Sequence, residues 1–310
     1  MKIFSKIKRY AALATGNFEK IFKDKEIPPL PEAVMKLMEA LRDPECSIDR
    51  VASIVGTDPG LSAQVLRMAN SPLYGLKSEV KSVKQAISTL GLKRLENIAI
   101  SYGVRKAVKD PKVEGFDFNL FWSVSLYRAI MGKELSQNLK IGDPDEAFTG
   151  ALLQDIALPV LLKDWFKEYK IVYEEWKKNP QPLSAVENKK LSWNHAQAGA
   201  WMAKKWGFPA ILVCAIGLHN ESLEKVKKLG LEATSVVPVL LSSRMPMRNP
   251  EAELEPFTKE LAEVNCSLQD LLKMEERCYN TLVELASGFN IRELKVERLP
   301  DQLAQISSSE

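Results

Sequence analysis

Residues 47–71 read SIDRVASIVGTDPGLSAQVLRMANS, and their periodicity and breakers decide the fold class. Ile48, Val51, Ile54 and Val55 recur at helical spacing behind Ser47, whose hydroxyl suits a helix N-cap. Asp58-Pro59 restarts the chain: Asp58 caps, and Pro59 takes the first helical position, where its missing N–H is not needed. Leu61, Val65, Leu66 and Met68 form the inward stripe of a second helix, which Asn70-Ser71-Pro72 ends. Two capped amphipathic helices in so short a span predict a helical chain rather than a mixed one.

The same grammar runs outward in both directions. Upstream, Pro28, Pro29 and Pro31 hold the chain extended before Ala33, Val34, Leu37, Met38 and Leu41 open a helix that Asp43-Pro44 closes. Downstream, Ser82 caps a helix over 83–90, and Gly91 separates it from a longer one over 92–108. A long helix runs from Leu120 to about Leu139, then one ends at Gln154-Asp155, one spans His195 to Trp206, and one carries His219. After residue 225 breakers accumulate (Pro246, Pro250, Pro256), with helical patterns near 256–264 and 267–287. Residues 292–297 read as a short strand or extended tail, and 298–310 as a polar, disordered tail. No fixed-period repeat is present.

Composition narrows the function classes. With 45% hydrophobic and 27% charged residues of mixed sign, the chain can bury a sizeable core. A net charge of +3 is too small to imply nucleic acid. No apolar run reaches the length of a membrane span. Cys46, Cys214, Cys266 and Cys278 lack C-x-x-C spacing and read as reduced packing residues of a cytoplasmic protein. The basic N-terminus is too short in its apolar part for a signal peptide. Ile3, Phe4, Ile7, Ala11 and Ala14 instead share one face of a basic amphipathic helix, expected to dock on the domain or on a partner, with contact to a membrane surface as the open alternative. No G-x-S-x-G, P-loop or G-x-G-x-x-G occurs.

Several ordered stretches give the chain a resemblance to a family. They are Ile27-Pro-Pro-Leu-Pro-Glu, residues 47–71, Tyr74-Gly75, Val83 to Leu92, Phe121-Trp122, Gly150 to Ile156, His195-Ala-Gln-Ala-Gly-Ala and Trp206-Gly-Phe-Pro. Together they resemble the HDOD family, the non-catalytic relatives of HD-domain metal-dependent phosphohydrolases, over roughly residues 21–225. The resemblance implies an all-α, HD-superfamily-like helical bundle with additional N- and C-terminal helices. It divides the chain into an N-terminal amphipathic helix (1–20), the HDOD-like domain (21–225), a C-terminal helical region packed on it (226–297) and the tail.

Against the hydrolase pattern, the losses fall at definite residues. An HD helix ends in Leu-Leu-His-Asp, but here residues 152–155 are Leu-Leu-Gln-Asp. The amide of Gln154 is a poor ligand for a transition metal. The first histidine position holds Val124, the residue after His219 is Asn220, and Ser242 and Ser243 stand where a closing aspartate is expected. Asp155, His195 and His219 remain as vestigial candidates, too few for a two-metal site. Asp155 and His195 are expected to pair with each other, because burial penalises a lone carboxylate. No metal, no catalytic residue and no cofactor is therefore expected.

The resemblance and these losses imply a non-enzymatic bacterial signal-transduction module acting through protein–protein contacts. Two alternatives stay open. One is a residual metal-dependent phosphodiesterase or a cyclic-dinucleotide-binding sensor, which an arginine near the old site would favour. The other is a nucleic-acid-binding regulator, suggested by the helix pair at 47–70 and by Lys81, Lys84, Lys93 and Arg94 as a possible polyanion-binding face. Only Arg50 and Arg67 are basic within 47–70, against Asp49 and Asp58, so nucleic acid is not the expected partner. No receiver, kinase or cyclase segment is recognisable, so the input is expected from a protein partner or a small ligand.

Overall fold

A computed structural model describes residues 7, 18–21, 26–76, 78–178, 181–246, 250–289, 291 and 293–301 of the chain, with the backbone alone at 19, 20 and 250–252. Every regular element among them is helical. Five helices, α1 (Glu32–Ala40), α2 (Ile48–Gly56), α3 (Pro59–Ala69), α4 (Val83–Leu90) and α5 (Leu92–Ala107), pack on one another as an N-terminal layer. Their starts obey the capping chemistry of the sequence. Ser47 Oγ accepts from the Arg50 N–H at 3.2 Å, Ser82 Oγ from Gln85 at 3.1 Å, and Asp58 Oδ1 from Gly60 and Leu61 at 2.8 and 3.0 Å. The Tyr102 hydroxyl also donates to Asp58 Oδ1 at 3.0 Å, tying α5 to the start of α3.

The long helix α6 (Phe118–Leu139) buries Trp122, Leu126, Tyr127, Ile130, Met131 and Leu135. Around it pack α7 (Pro144–Leu153), α14 (Val236–Ser243) and α16 (Leu268–Ala286). The α6–α7 connection turns at Gly142, whose φ of +71° is left-handed and favours glycine. A Cβ there would also overlap the backbone of Ser235. Gly142→Ala is expected to destabilise the chain by about 2 kcal/mol through strain and overlap. Urea unfolding would show this as a lower midpoint at an unchanged slope.

Between α7 and α14 the chain forms α8 (Ala157–Asp164), α9 (Phe166–Lys178), α10 (Leu183–Leu191), α11 (His195–Lys205), α12 (Ala210–Leu218) and α13 (Leu223–Lys228). The start of α11 is a full capping box: Asn194 Oδ1 accepts from the Gln197 N–H, and Gln197 Oε1 from the Asn194 N–H, both at 3.1 Å. This fixes His195 in the first turn. Trp122, Trp165, Trp193 and Trp201 are buried and Trp206 is partly buried, which is packing rather than a stacking platform. The cysteines are unbridged, and all but Cys46 are buried.

The C-terminal region departs from the sequence reading in two places. Helix α15 (Pro250–Ala262) begins earlier than expected and runs through the exposed Pro256, which cannot donate the helical hydrogen bond at its own position. Of the two readings of 292–297, the described residues 293–297 follow the extended tail and form no strand, since no strand among the described residues could pair with them. They are held instead by side chains: Asn119 Nδ2 donates to the Glu293 carbonyl at 2.6 Å, and Lys295 meets Asp117 at 2.8 Å. The expected disordered tail is packed at its start. Leu299 is buried, and Arg298 pairs at 3.2 Å with the buried Glu275, which also accepts from the Tyr127 hydroxyl at 3.0 Å. Residues 302–310 lie outside the described residues.

Most of the expected N-terminal helix also lies outside them. Its Ile7 and Phe18 are buried on the domain, Phe18 edge-on to Trp193 with ring centroids 5.3 Å apart. Among the described residues no helix is long and apolar enough to cross a membrane.

Candidate functional site

The fold brings Asp155, His195 and His219 together from three places: the turn after α7, the first residue of α11 and the residue capping α12. Asp155 Oδ1 lies 3.2 Å from His195 Nε2 and 3.3 Å from His219 Nε2. Both imidazoles are turned by bonds on their other nitrogen. His195 Nδ1 donates to Glu187 Oε2 at 2.6 Å, and His219 Nδ1 donates to the Ile216 carbonyl at 2.7 Å. Each ring is thereby held with Nε2 toward the same carboxylate oxygen. The Ser243 hydroxyl donates to the His219 carbonyl at 2.8 Å, so one of the two serines at the closing-aspartate position buttresses a histidine.

The second carboxylate oxygen faces a different partner. Arg128 Nη1 donates to Asp155 Oδ2 at 2.8 Å, and the Gln154 amide approaches the same oxygen at 3.4 Å. Arg128 lies one helical turn beyond Val124 on α6, on the same face. Gln154 Oε1 is buried with no hydrogen-bond partner. Asn220 takes its place at His195 Nε2, 2.9 Å away. An amide presents either nitrogen or oxygen by a half-turn, so it can serve this nitrogen with or without a proton.

Behind the histidine sits a carboxylate that sequence reading misses. Glu187 is fully buried on α10, bound to His195 through Oε2 and accepting the Tyr169 hydroxyl through Oε1 at 2.5 Å. Burial alone would lower the His195 pKa, but Glu187 and Asp155 on either side raise it to about 10. His219 moves the other way: burial lowers it, and the charge of His195 adds to that against the Asp155 bond. Burial would raise Asp155, yet the bonds to His195 and His219 and the charge of Arg128 hold it well below the usual carboxylate range. Tyr169 is pushed well above its ordinary value by burial and by Glu187, and stays a hydroxyl.

The donor set fits one metal ion and not two. Three ligand atoms, Asp155 Oδ1 and the two Nε2 atoms, surround one point, with oxygen–nitrogen spacings suited to adjacent ligands at about 2.1 Å from an ion. The hydrogen-bonded Nδ1 atoms supply the outer support that metal-binding histidines require. A second ion on Oδ2 would meet the Arg128 guanidinium, and Val124 and Gln154 offer it no strong ligand. Among the described residues no other group of histidine, cysteine and carboxylate has metal-ligand spacing.

The basic residues of the possible polyanion-binding face are paired locally. Lys84 lies 2.6 Å from Asp49, Lys81 3.8 Å from Glu79, Lys93 3.0 and 2.9 Å from Asp143 and Glu146, and Arg94 2.8 Å from Asp145. Arg67 donates to the Gly288 carbonyl at 3.1 Å, and Arg50 sits 3.7 Å from Asp43. A phosphate backbone would have to displace these carboxylates at each contact.

An all-helical layer feeding a buried histidine–aspartate cluster at the end of α7 defines an HD-like helical protein. The HDOD domain pattern matches residues 27–222, and the chain belongs to that family. A curated relative from Treponema pallidum (strain Nichols), an uncharacterized protein, is 20% identical over 197 residues, or 63% of this chain. The match spans only 38% of that relative's length.

Among solved structures, a Shewanella amazonensis SB2B protein proposed to be a phosphohydrolase is 24% identical, with a TM-score of 0.64 over 85% of this chain and 95% of that one. A Geobacter sulfurreducens HDOD domain protein of unknown function is 20% identical, with a TM-score of 0.62 over 91% and 98%. A Marinobacter aquaeolei VT8 protein proposed to act in signal transduction is 19% identical, with a TM-score of 0.62 over 91% and 66%. At these identities the likenesses carry the fold and not the activity.

Proposed function

We propose that this chain is a non-hydrolytic regulatory HDOD module that serves a signalling pathway through protein contacts. The observation that carries the reading is the division of Asp155: Oδ1 faces two histidines, and Oδ2 is bound by Arg128. Two-metal hydrolysis needs a carboxylate free to bridge two ions, each with further ligands. Here the second oxygen is met by a guanidinium and an amide instead. The Marinobacter neighbour's proposed role in signal transduction agrees with this reading, and the Shewanella neighbour's name marks the alternative to test.

Incubated with Mn2+, Fe2+ or Zn2+, the protein is expected to release no nitrophenol from bis(4-nitrophenyl) phosphate and to leave a cyclic dinucleotide intact, at the level of Asp155→Ala. Turnover that vanishes in Asp155→Ala would overturn the reading. A second reading, a single divalent ion held by Asp155, His195 and His219, is favoured by the facing of their three donor atoms. Such an ion would clasp the starts of α8 and α11 to the end of α12. Nucleotide sensing through Arg128 is disfavoured, because that guanidinium is already engaged and largely buried.

A further inference from the structure

We propose that the Arg128 guanidinium is a built-in counter-cation that takes the place of one metal ion at the HD-type carboxylate and weakens the hold of the Asp155–His195–His219 triad on the other. The inference rests on the reading of this chain as a one-ion or no-ion relative of two-metal hydrolases. Its warrant is geometric. Asp155 presents one oxygen to the histidine pair, at 3.2 and 3.3 Å, and the other to Arg128, at 2.8 Å. The arginine reaches this oxygen from α6, one turn past Val124, where the resemblance places a lost histidine ligand.

The substitution is therefore compensated. The helix that would have supplied a neutral ligand and a metal supplies a fixed positive charge, and the carboxylate keeps a cation on both sides. Asp155 and Arg128 are 15% and 17% exposed, so their attraction is only weakly screened and the pair is hard to open. A guanidinium bound to one oxygen withdraws charge from the other, and an ion arriving on Oδ1 would also feel its repulsion at short range in a poorly screened site. Arg128 Nε is itself buried without a hydrogen-bond partner, so the side chain is committed to this one contact.

The sign of the effect is what can be tested. An arginine that merely orients Asp155 for a metal would weaken binding when removed. Removal of a counter-cation strengthens it. Zinc affinity would be measured by titration calorimetry against a competing chelator, with bound zinc counted by mass spectrometry, on the full chain and on Arg128→Gln. The neutral amide can still donate to Oδ2. The expected result is one zinc per chain in Arg128→Gln, bound at least tenfold more tightly than in the parent, and lost again in Arg128→Gln/Asp155→Asn.

Equal or weaker binding in a folded Arg128→Gln overturns the proposal, and so does tighter binding that survives Asp155→Asn. If Arg128→Gln does not fold, Arg128→Lys keeps the charge but reaches less far. A smaller tightening is then expected, and none overturns the proposal. Phosphodiester hydrolysis by the parent chain would sink the non-hydrolytic reading whatever the affinities do. An unchanged affinity in Arg128→Gln would sink only the role given to Arg128.

Discussion

Glu187→Ala is expected to destabilise the protein by about 3–5 kcal/mol, as removal of one partner from a buried ion pair does. Glu187 is fully buried and serves two donors at once, the His195 imidazole on Oε2 and the Tyr169 hydroxyl on Oε1. Without it a charged His195 loses one of its two flanking carboxylates and Tyr169 is left with an unsatisfied buried hydroxyl. The cavity adds to the loss, because α9, α10 and α11 meet around this side chain. Glu187→Gln keeps the volume but turns an amide N–H toward one of the two donors, so a smaller loss is expected. Chemical unfolding of both variants would settle the ranking. A change under about 1 kcal/mol for the alanine variant would show that the network is not a stabilising element.

That carboxylate also shows where the sequence stops being legible. The helices could be read because their signals are local: Ser47, Asp58 and Ser82 each cap the adjoining helix, and the apolar stripes repeat within a few turns. Asp155, His195 and His219 could be singled out because the Gln154-Asp155 pair and the scarcity of histidine mark them in one dimension. Glu187 could not. In the run Glu187-Asn188-Lys189-Lys190 it looks like part of a solvated charge cluster, and only the packing of α9 against α10 turns it inward.

Arg128 gave a fainter signal. It stands beside Ser125, Leu126, Ala129 and Ile130 of a largely buried helix, where a charge requires a partner. The identity of that partner is a tertiary fact. The basic residues of α4 and α5 show the same limit: Lys84, Lys93 and Arg94 line up as a face in sequence, while the carboxylates they pair with come from α2 and from the start of α7.

The network also sets how stability depends on pH in the metal-free chain. His195 titrates near 10 in the folded state, above its ordinary value of 6.5, so folding takes up a proton between those values. Its contribution is fully present below about pH 6.5 and is lost as pH rises through about 10, at a slope approaching about 1.4 kcal/mol per pH unit. His219 has the opposite sign: its lowered pKa costs stability at acid pH and the cost fades as pH rises through 6.5. Asp155, held low, contributes above the ordinary carboxylate range and loses that contribution on acidification.

The groups facing His195 are Glu187 and Asp155 as carboxylates, Arg128 and Tyr169 one contact further out, His219 beside it and Asn220 as a neutral amide. Buried thiols complicate the alkaline limb, since burial pushes Cys214 up to about 12 and its ionisation also favours the unfolded chain. The comparison must therefore be a difference. Urea unfolding of the parent and of His195→Gln, in chelator, at pH 6.5, 8 and 9.5 cancels contributions common to both. The parent's advantage over the variant is expected to shrink steadily across that range. An advantage that stays constant with pH would mean that His195 is neutral in the fold, and that the proton placed between Glu187 and Asp155 is not there.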